Sequence, residues 1–239
     1  MEAIILAGGK GTRLRGLVND RPKPLAEVNG VPFIYYILDH LYAEGFSRFI
    51  ISVGFKKDMI INTLGYSYRQ TPISYVREDT PLGTGGAFVE CLSTTSANKP
   101  ILLINGDTYF LIKTRQLIQT MRNAKADAAL ALFKATESNR YGKVNLSGKE
   151  IGLDQRYSKA NKGEIAFGGI ALFQSNEIKK YCNITVTSFS FDNEFLPNII
   201  ANGAKVVGQQ FSSPFIDIGV PVDYLKLCDQ LKHNKKPRI

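Results

Sequence analysis

The segment LAGGKGTRL, residues 6–14, closes an apolar run with Gly8, Gly9 and Gly11 and then offers Thr12 and Arg13. Glycines remove side chains where a backbone turns tightly or lies against a ligand. The amides of Gly8 to Thr12 can cradle a polyphosphate, with the Arg13 guanidinium as a bidentate cation beside them. The spacing fits neither Gly-x4-Gly-Lys-Ser/Thr nor Gly-x-Gly-x-x-Gly, whose last position falls here on Leu14. A different phosphate loop and a tight strand-to-helix turn with an exposed arginine both stay open. A second cation, Lys23, stands between Pro22 and Pro24 in RPKPL. The prolines forbid a regular helix, and so either hold the lysine at a defined position or stiffen a surface loop.

Residues 78–87, EDTPLGTGGA, form a Gly- and Pro-rich stretch before a helical pattern. Such a loop brings main-chain donors and acceptors to the edge of a flat ligand, and Thr84 can also cap the helix. Asp107 in NGD and Asp217 in FIDIG each follow apolar residues. Two carboxylates near a basic phosphate loop suit Mg2+, which takes a few carboxylates plus phosphate oxygens and water; each aspartate alone also suits a turn or cap. His40 lies in a helical pattern and His233 in the basic tail, so neither is placed for acid–base or metal chemistry.

The elements that must position these residues alternate. Strands are expected at 3–7, 49–53, 73–76 and 101–104, and helices over 33–41, 58–64 and 84–92, which predicts an α/β fold with a parallel sheet flanked by helices. The runs at 3–7 and 101–104 are apolar without alternation, as buried central strands are. Their C-terminal ends carry AGGKGTR and NGDTYF, so both polar clusters should meet at one sheet edge, where open α/β folds bind ligands. From about residue 126 the texture changes: ADAALALF, YGKVNL, KEIGLDQRY and EIAFGGIALF read as successive strands of an antiparallel or mixed extension. A helix over 192–202, a strand at 204–207 and a last helix from 222 to about 232 complete the chain. No linker or internal repeat interrupts it. One domain is expected over 1–239, its texture changing between 1–125 and 126–239.

The 239 residues are 44% hydrophobic and 21% charged, ordinary for a soluble globular protein. The net charge of +9 suits phosphorylated small molecules, nucleic acid or an anionic surface. No recognition-helix or Arg/Lys–aromatic platform accompanies the charge, so nucleic acid is not expected as a partner. Cys91, Cys182 and Cys228 are odd in number and lack a CxxC spacing, which predicts reduced thiols and no zinc. No leader-like segment or apolar run of about 18 residues occurs, so a cytoplasmic protein without a membrane partner is expected.

In order and separation, LAGGKGTRL, RPKPL, EDTPLGTGGA, NGD, YGKV and FIDIGVP resemble the motifs of the sugar-1-phosphate nucleotidyltransferase family over nearly the whole chain. Within it, the PLGTGGA loop and the FIDIGVP ending are most similar to its D-glycero-α-D-manno-heptose 1-phosphate guanylyltransferases. The resemblance implies a Rossmann-like, mixed, mainly parallel sheet with a smaller β-rich sugar-binding extension, the GT-A-like arrangement. It implies that Leu6, Ala7, Gly8, Gly9, Gly11, Thr12 and Arg13 bind the nucleotide, with the glycine loop wrapping the triphosphate, and that Arg13 steadies the departing pyrophosphate. Lys23 would stabilise charge on the α-phosphate. Glu78, Pro81, Gly83 and Thr84 would contact the nucleotide, with Gly106 and Asp107 beside it. Asp107 and Asp217 would bind Mg2+, and Gly142, Lys159 and Gly169 the sugar phosphate. The family usually places Glu before the matching lysine and Asn-Ala-Gly after it, whereas this chain has Ser158, then Phe167-Gly168-Gly169. Glu164 or Lys162 is the expected compensation.

The implied reaction is attack by a sugar 1-phosphate oxygen on the α-phosphorus of an NTP, GTP by resemblance, for surface polysaccharide synthesis such as capsule or lipopolysaccharide. Mannose-1-phosphate guanylyltransferases and uridylyltransferases for other sugars share the motifs. A catalytically silent nucleotide-sugar-binding module and an RNA-binding protein are the rivals from other classes; the four charged residues Arg13, Lys23, Asp107 and Asp217 speak against the first. Exposed aromatic positions in the second half would allow a homodimer.

Overall fold

The computed structural model describes residues 1–11, 14, 17–18, 20–96, 99–152, 158–182, 188–232 and 237. In chain order its elements are β1 (Glu2–Leu6), β2 (Glu27–Val28), β3 (Val31–Pro32), α1 (Ile34–Ala43), β4 (Arg48–Val53), α2 (Lys57–Leu64), β5 (Ser67–Tyr68), β6 (Thr71–Arg77), α3 (Gly83–Ser93), β7 (Ile101–Asn105), β8 (Thr108–Tyr109), α4 (Thr114–Ala124), β9 (Ala128–Lys134), β10 (Asn145–Ser147), β11 (Glu150–Gly152), β12 (Ile165–Phe173), α5 (Ser175–Lys179), α6 (Leu196–Ala201), β13 (Val206–Gln210), β14 (Ile216–Asp217) and α7 (Pro221–Gln230). A 3-10 turn at Lys23–Leu25 and a π-helical turn at Phe191–Phe195 stand outside this numbering.

Two compact units share the chain: Met1–Pro81, Ile104–Leu111 and Pro214–Ile239 form the first, and Leu82–Leu103 with Ile112–Ser213 the second. In the first, β1 pairs in parallel with β4, and β4 with β6, while β5 adds an antiparallel edge. Ala3, Ile4 and Ile5 in β1, with Phe49, Ile50 and Ile51 in β4, are wholly buried. Each of these isoleucine and phenylalanine side chains contributes roughly 1.5–3 kcal/mol of burial, which is why these short strands hold fixed ends. Helix α1 turns Ile34, Ile37, Leu38 and Leu41 inward at 3–4-residue spacing.

In the second unit the strand order is β10–β11–β13–β9–β12, with β13 parallel to β9 and the other pairs antiparallel. The mixed texture expected beyond residue 126 is therefore present. The YGKVNL and KEIGLDQRY stretches form only the short β10 and β11, and residues 153–157 lie outside the described residues. In β12 the register slips between Phe167 and Ala171, a bulge that contains Gly169 at φ +70°. A fully buried cluster of Phe88, Phe173, Phe191 and Phe195 forms the core here; Phe88 lies 4.9 Å from Phe173 and 5.3 Å from Phe195 between ring centroids.

Helix α4 is absent from the sequence reading. Its core face is only Thr114, Leu117, Thr120 and Met121, two of them threonines, so apolar periodicity is faint. The helix expected over 192–202 starts instead as the π-turn and becomes α-helical at Leu196, with Pro197 in the first turn. The exposed aromatic residues are Tyr42 and Tyr66, both in the first half among the described residues, rather than in the second.

Candidate functional site

The first unit gathers the phosphate-loop and carboxylate candidates. The Leu6 carbonyl at the end of β1 accepts a hydrogen bond from Gly106 N–H at 2.8 Å, and a Cβ on Gly106 would lie 2.6 Å from that oxygen. The AGGKG and NGD segments thus leave the same sheet edge, as the two apolar strands predicted. Ala7 N–H donates to the Ser52 carbonyl at 2.9 Å, and the Gly8 carbonyl accepts from Phe55 N–H at 3.2 Å. A side chain on Gly8 would collide with the Glu78 carboxylate, which also accepts from the Ser52 hydroxyl at 2.6 Å. Gly54 is equally constrained, 2.9 Å from the Gly8 carbonyl at its would-be Cβ. Gly11 has φ +65° and would press on the Lys23 stem. Of these glycines Gly9 is the exposed one; among the described residues no atom beyond its chain neighbours lies within 4 Å of its would-be Cβ, and it does not carry a positive φ. Thr12 and Arg13 lie outside the described residues.

Lys23 is set by its prolines as expected, in a one-turn 3-10 helix rather than a loop. Pro24 and Leu25 are buried, and Ala26 N–H donates to the Lys23 carbonyl at 2.9 Å. The Lys23 ammonium donates to Asp107 Oδ2 at 3.0 Å, and the lysine side chain is only 12% exposed. Strand β14 pairs antiparallel with β8, Asp217 opposite Thr108, and Ile218 N–H donates to the Asp107 carbonyl at 3.0 Å. Asp217 Oδ1 accepts from Gly219 N–H at 2.8 Å. A Cβ on Gly219 would lie 2.5 Å from Lys23 Nζ and 2.8 Å from Asp217 Oδ1. One ammonium and two carboxylates therefore converge over Gly219, a residue whose missing side chain makes the convergence possible. With one or two carboxylates, phosphate oxygens and waters as its preferred shell, a divalent metal ion suits the chemistry of Asp107 and Asp217. Among the described residues no cluster of three or more His, Cys, Asp or Glu offers a protein-only metal cage.

The remainder of the 78–87 loop divides. Asp79 pairs with Lys57 at 2.7 Å, and this contact holds its carboxyl below the usual range. Pro81, exposed, ends the first of the three segments of the first unit. Gly83 and Thr84 open α3 in the second unit, and their neighbour is the chain itself. Gly85 N–H donates to the Phe189 carbonyl at 2.9 Å, Phe189 N–H to the Leu82 carbonyl at 3.0 Å, and Phe191 N–H to Thr84 Oγ1 at 2.9 Å. Gly83, with φ +68°, would meet the Phe189 backbone, and Gly85 the Phe189 ring. Thr84 accordingly serves the 189–191 segment and makes no side-chain cap for α3.

Of the sugar-phosphate candidates, Gly142 and Lys159 face each other in an isolated antiparallel bridge, and Lys159 is exposed. Gly169 is buried within the β12 bulge. Glu164, one of two expected replacements for the absent glutamate, receives Lys143 Nζ at 2.8 Å and Asn161 N–H at 2.7 Å, contacts that lower its pKa. Sequence reasoning missed Ser52, Gly54, Gly219, Phe189 and Asp192. Burial pushes the Asp192 carboxyl up to about 6, opposed by the charge of Lys159. Nothing local marks Asp192, which reads as the first-turn acid of a helix.

A model of the nucleotidyl transferase family matches residues 2–234. A D-glycero-α-D-manno-heptose 1-phosphate guanylyltransferase of Aneurinibacillus thermoaerophilus is 36% identical, covering 98% of this chain and 99% of its own. That of Campylobacter jejuni subsp. jejuni serotype O:2 is 34% identical, over 94% and 97%. HddC from Yersinia pseudotuberculosis, solved in complex with GMP-PN, superposes with a TM-score of 0.81 at 28% identity, covering 96% of this chain and 99% of that one. The fold shared with these neighbours is the GT-A-like α/β arrangement, a mixed, mainly parallel sheet flanked by helices. A match spanning both units, from the first strand through the last helix, makes this chain a member of the nucleotidyl transferase family.

Proposed function

We propose that this enzyme transfers a guanylyl group from GTP to D-glycero-α-D-manno-heptose 1-phosphate, giving the GDP-sugar and pyrophosphate. The observation that carries the reading is the convergence of Lys23, Asp107 and Asp217 over Gly219, at the sheet edge that also bears the Gly8–Gly11 loop. The two heptose 1-phosphate guanylyltransferases at 34–36% identity and the GMP-PN complex of HddC support the substrate pair.

In the proposed reaction a sugar-phosphate oxygen bonds to the α-phosphorus while the bond from that phosphorus to the bridging oxygen breaks, and pyrophosphate leaves with the electron pair. The nucleophile is already ionised at neutral pH, so no general base is needed. Two anions must be held against their repulsion, and charge on the α-phosphate must be met as it develops. Lys23, prepositioned by Pro22 and Pro24, donates to a nonbridging oxygen of that phosphate. The amides of Gly8, Gly9 and Gly11 receive the triphosphate, and Arg13 is assigned to the leaving pyrophosphate. Asp107 and Asp217 hold Mg2+, which when bound neutralises phosphate charge. Gly142 and Lys159 receive the sugar phosphate. A cytoplasmic site of action follows from the nucleotide substrate, and no described helix is long and apolar enough to cross a membrane.

Pyrophosphate release with Mg2+, crossing GTP, UTP, CTP, ATP and dTTP against manno-heptose, mannose and glucose 1-phosphates, tests the reading. Release with GTP and the heptose phosphate is expected. Release with another pair would retain the mechanism and replace the substrate; silence across the grid with GTP binding intact would favour the silent binding module. Lys23→Ala should lower turnover by about 10²–10³-fold, the range found for one electrostatic donor.

A further inference from the structure

We infer that Asp192 is a specificity-determining residue for the sugar 1-phosphate, a carboxylate that accepts hydrogen bonds from sugar hydroxyls beside Lys159. The inference rests on the proposed function for its substrate class and on the second unit alone for its geometry.

Three observations carry it. The first is the unmet hydrogen-bonding capacity of Asp192. Among the described residues its carboxylate has no hydrogen-bond donor or salt-bridge partner, although the residue is only partly exposed. Its neighbours on the π-turn are committed: Glu194 Oε2 accepts Ser190 N–H at 2.6 Å, and Asn193 N–H donates to Ser190 Oγ at 3.2 Å. Partly buried carboxylates without donors are uncommon in native structures and call for a reason.

The second is place. Phe191, adjacent to Asp192, stacks on Phe167 at 6.0 Å between centroids; Phe167 N–H donates to the Gly142 carbonyl at 3.4 Å; Gly142 bridges Lys159. This packed route connects the π-turn to the Gly142–Lys159 bridge. The backbone that presents Asp192 is fastened to α3 by the three hydrogen bonds of Leu82, Thr84 and Gly85 with Phe189 and Phe191. A backbone fastened this way presents the Asp192 side chain from a fixed point, which lowers the cost of ordering it on a ligand.

The third is elimination. Glu164, two residues before the Ala166 that bridges Lys143, already receives two donors in its own turn. The carboxylate near Lys159 that lacks donors comes instead from the π-turn. A polyhydroxylated sugar supplies O–H donors for it while Lys159 meets the phosphate, dividing the two ends of the substrate between two side chains of opposite charge.

The experiment is steady-state kinetics of wild type, Asp192→Asn and Asp192→Ala with GTP and D-glycero-α-D-manno-heptose 1-phosphate, repeated with monodeoxy analogues of that sugar phosphate. The expected result is a rise of about 10-fold or more in the sugar KM of Asp192→Asn, with the GTP KM unchanged. At least one deoxy analogue should lose affinity for wild type and lose none further for the variant, a coupling that a merely structural role would not produce. An unchanged sugar KM overturns the inference, as does a parallel rise in both KM values. GTP binding by calorimetry shows whether each variant is folded, and the isosteric Asn variant serves if Ala is not. If wild type ignores the heptose phosphate the proposed function falls, and the same comparison on the sugar 1-phosphate it accepts still decides on Asp192.

Discussion

Two glycine-rich segments, residues 8–11 and 83–86, look alike on paper and differ in what the glycines answer to. At Gly83 and Gly85 the space a side chain would fill is held by Phe189, so these glycines serve the chain's own packing. At Gly8 and Gly11 the space is held by Glu78 and Lys23, polar groups that belong to the candidate site. At Gly9 it is held by no atom of the described residues beyond its chain neighbours. A glycine that neither packing nor a positive φ requires is the one best explained by an external ligand lying against the backbone. Glycine content alone does not separate the three cases.

The contrast can be broken by adding one methyl group at each place. Gly83→Ala meets a backbone carbonyl that cannot swing aside and a φ of +68°. It should lower stability by about 3 kcal/mol or more, combining left-handed strain with displacement of the 189–191 segment. The melting temperature should fall by roughly 6–12 °C, at about 2–4 °C per kcal/mol for this chain length. Gly9→Ala should leave the melting temperature within about 1–2 °C of wild type, as surface substitutions do, yet raise the GTP KM about 10-fold. Equal melting temperatures for the two variants would erase the distinction between the segments.

A subtler version concerns what sits beneath Gly8. The Ser52 hydroxyl is wholly buried and donates to Glu78. Ser52→Ala should cost about 1.5–3 kcal/mol by urea denaturation, the range for a hydrogen bond to a charged partner, and should raise the GTP KM because the carboxylate that abuts Gly8 loses its anchor. A fall in stability with the GTP KM untouched would separate this contact from nucleotide binding.

The sequence carried much of the first unit because its apolar runs are short, unalternating and immediately followed by polar clusters. Burial then demands central strands, and parallel pairing demands that their ends meet. Lys23 between prolines was legible for the same reason: rigid residues encode position locally. The second unit was less so. Helix α4 hides its inner face behind threonines, the β12 bulge requires knowing what β9 pairs with, and the partner of Gly83 lies more than a hundred residues downstream at Phe189. Asp192 was hidden by a long-range cause too, since Phe191 beside it is packed by rings of α3 and β12, Phe88 and Phe167, as well as by Phe195 of its own turn.

That hidden burial has a titration signature. Asp192 has a folded-state pKa of about 6, above the usual value for a carboxyl in an unfolded chain, about 3.9. Between those values the folded state binds more protons than the unfolded one, so its contribution to stability falls as pH rises from 4 to 6 and levels off above. Lys159 opposes the shift without cancelling it. Asp192→Asn cannot titrate and lacks this descent. Melting temperatures of wild type and variant, measured from pH 4 to 7.5, should diverge in favour of Asn across that interval and run parallel beyond it; other acidic groups contribute equally to both curves. Divergence accompanied by a poorer sugar KM would mean that the wild-type carboxylate sacrifices stability for recognition, the pattern expected where a site keeps a charge its fold disfavours. A difference constant with pH would instead place Asp192 in ordinary solvent, and the contrast between a self-serving α3 loop and a ligand-serving π-turn fastened to it would collapse.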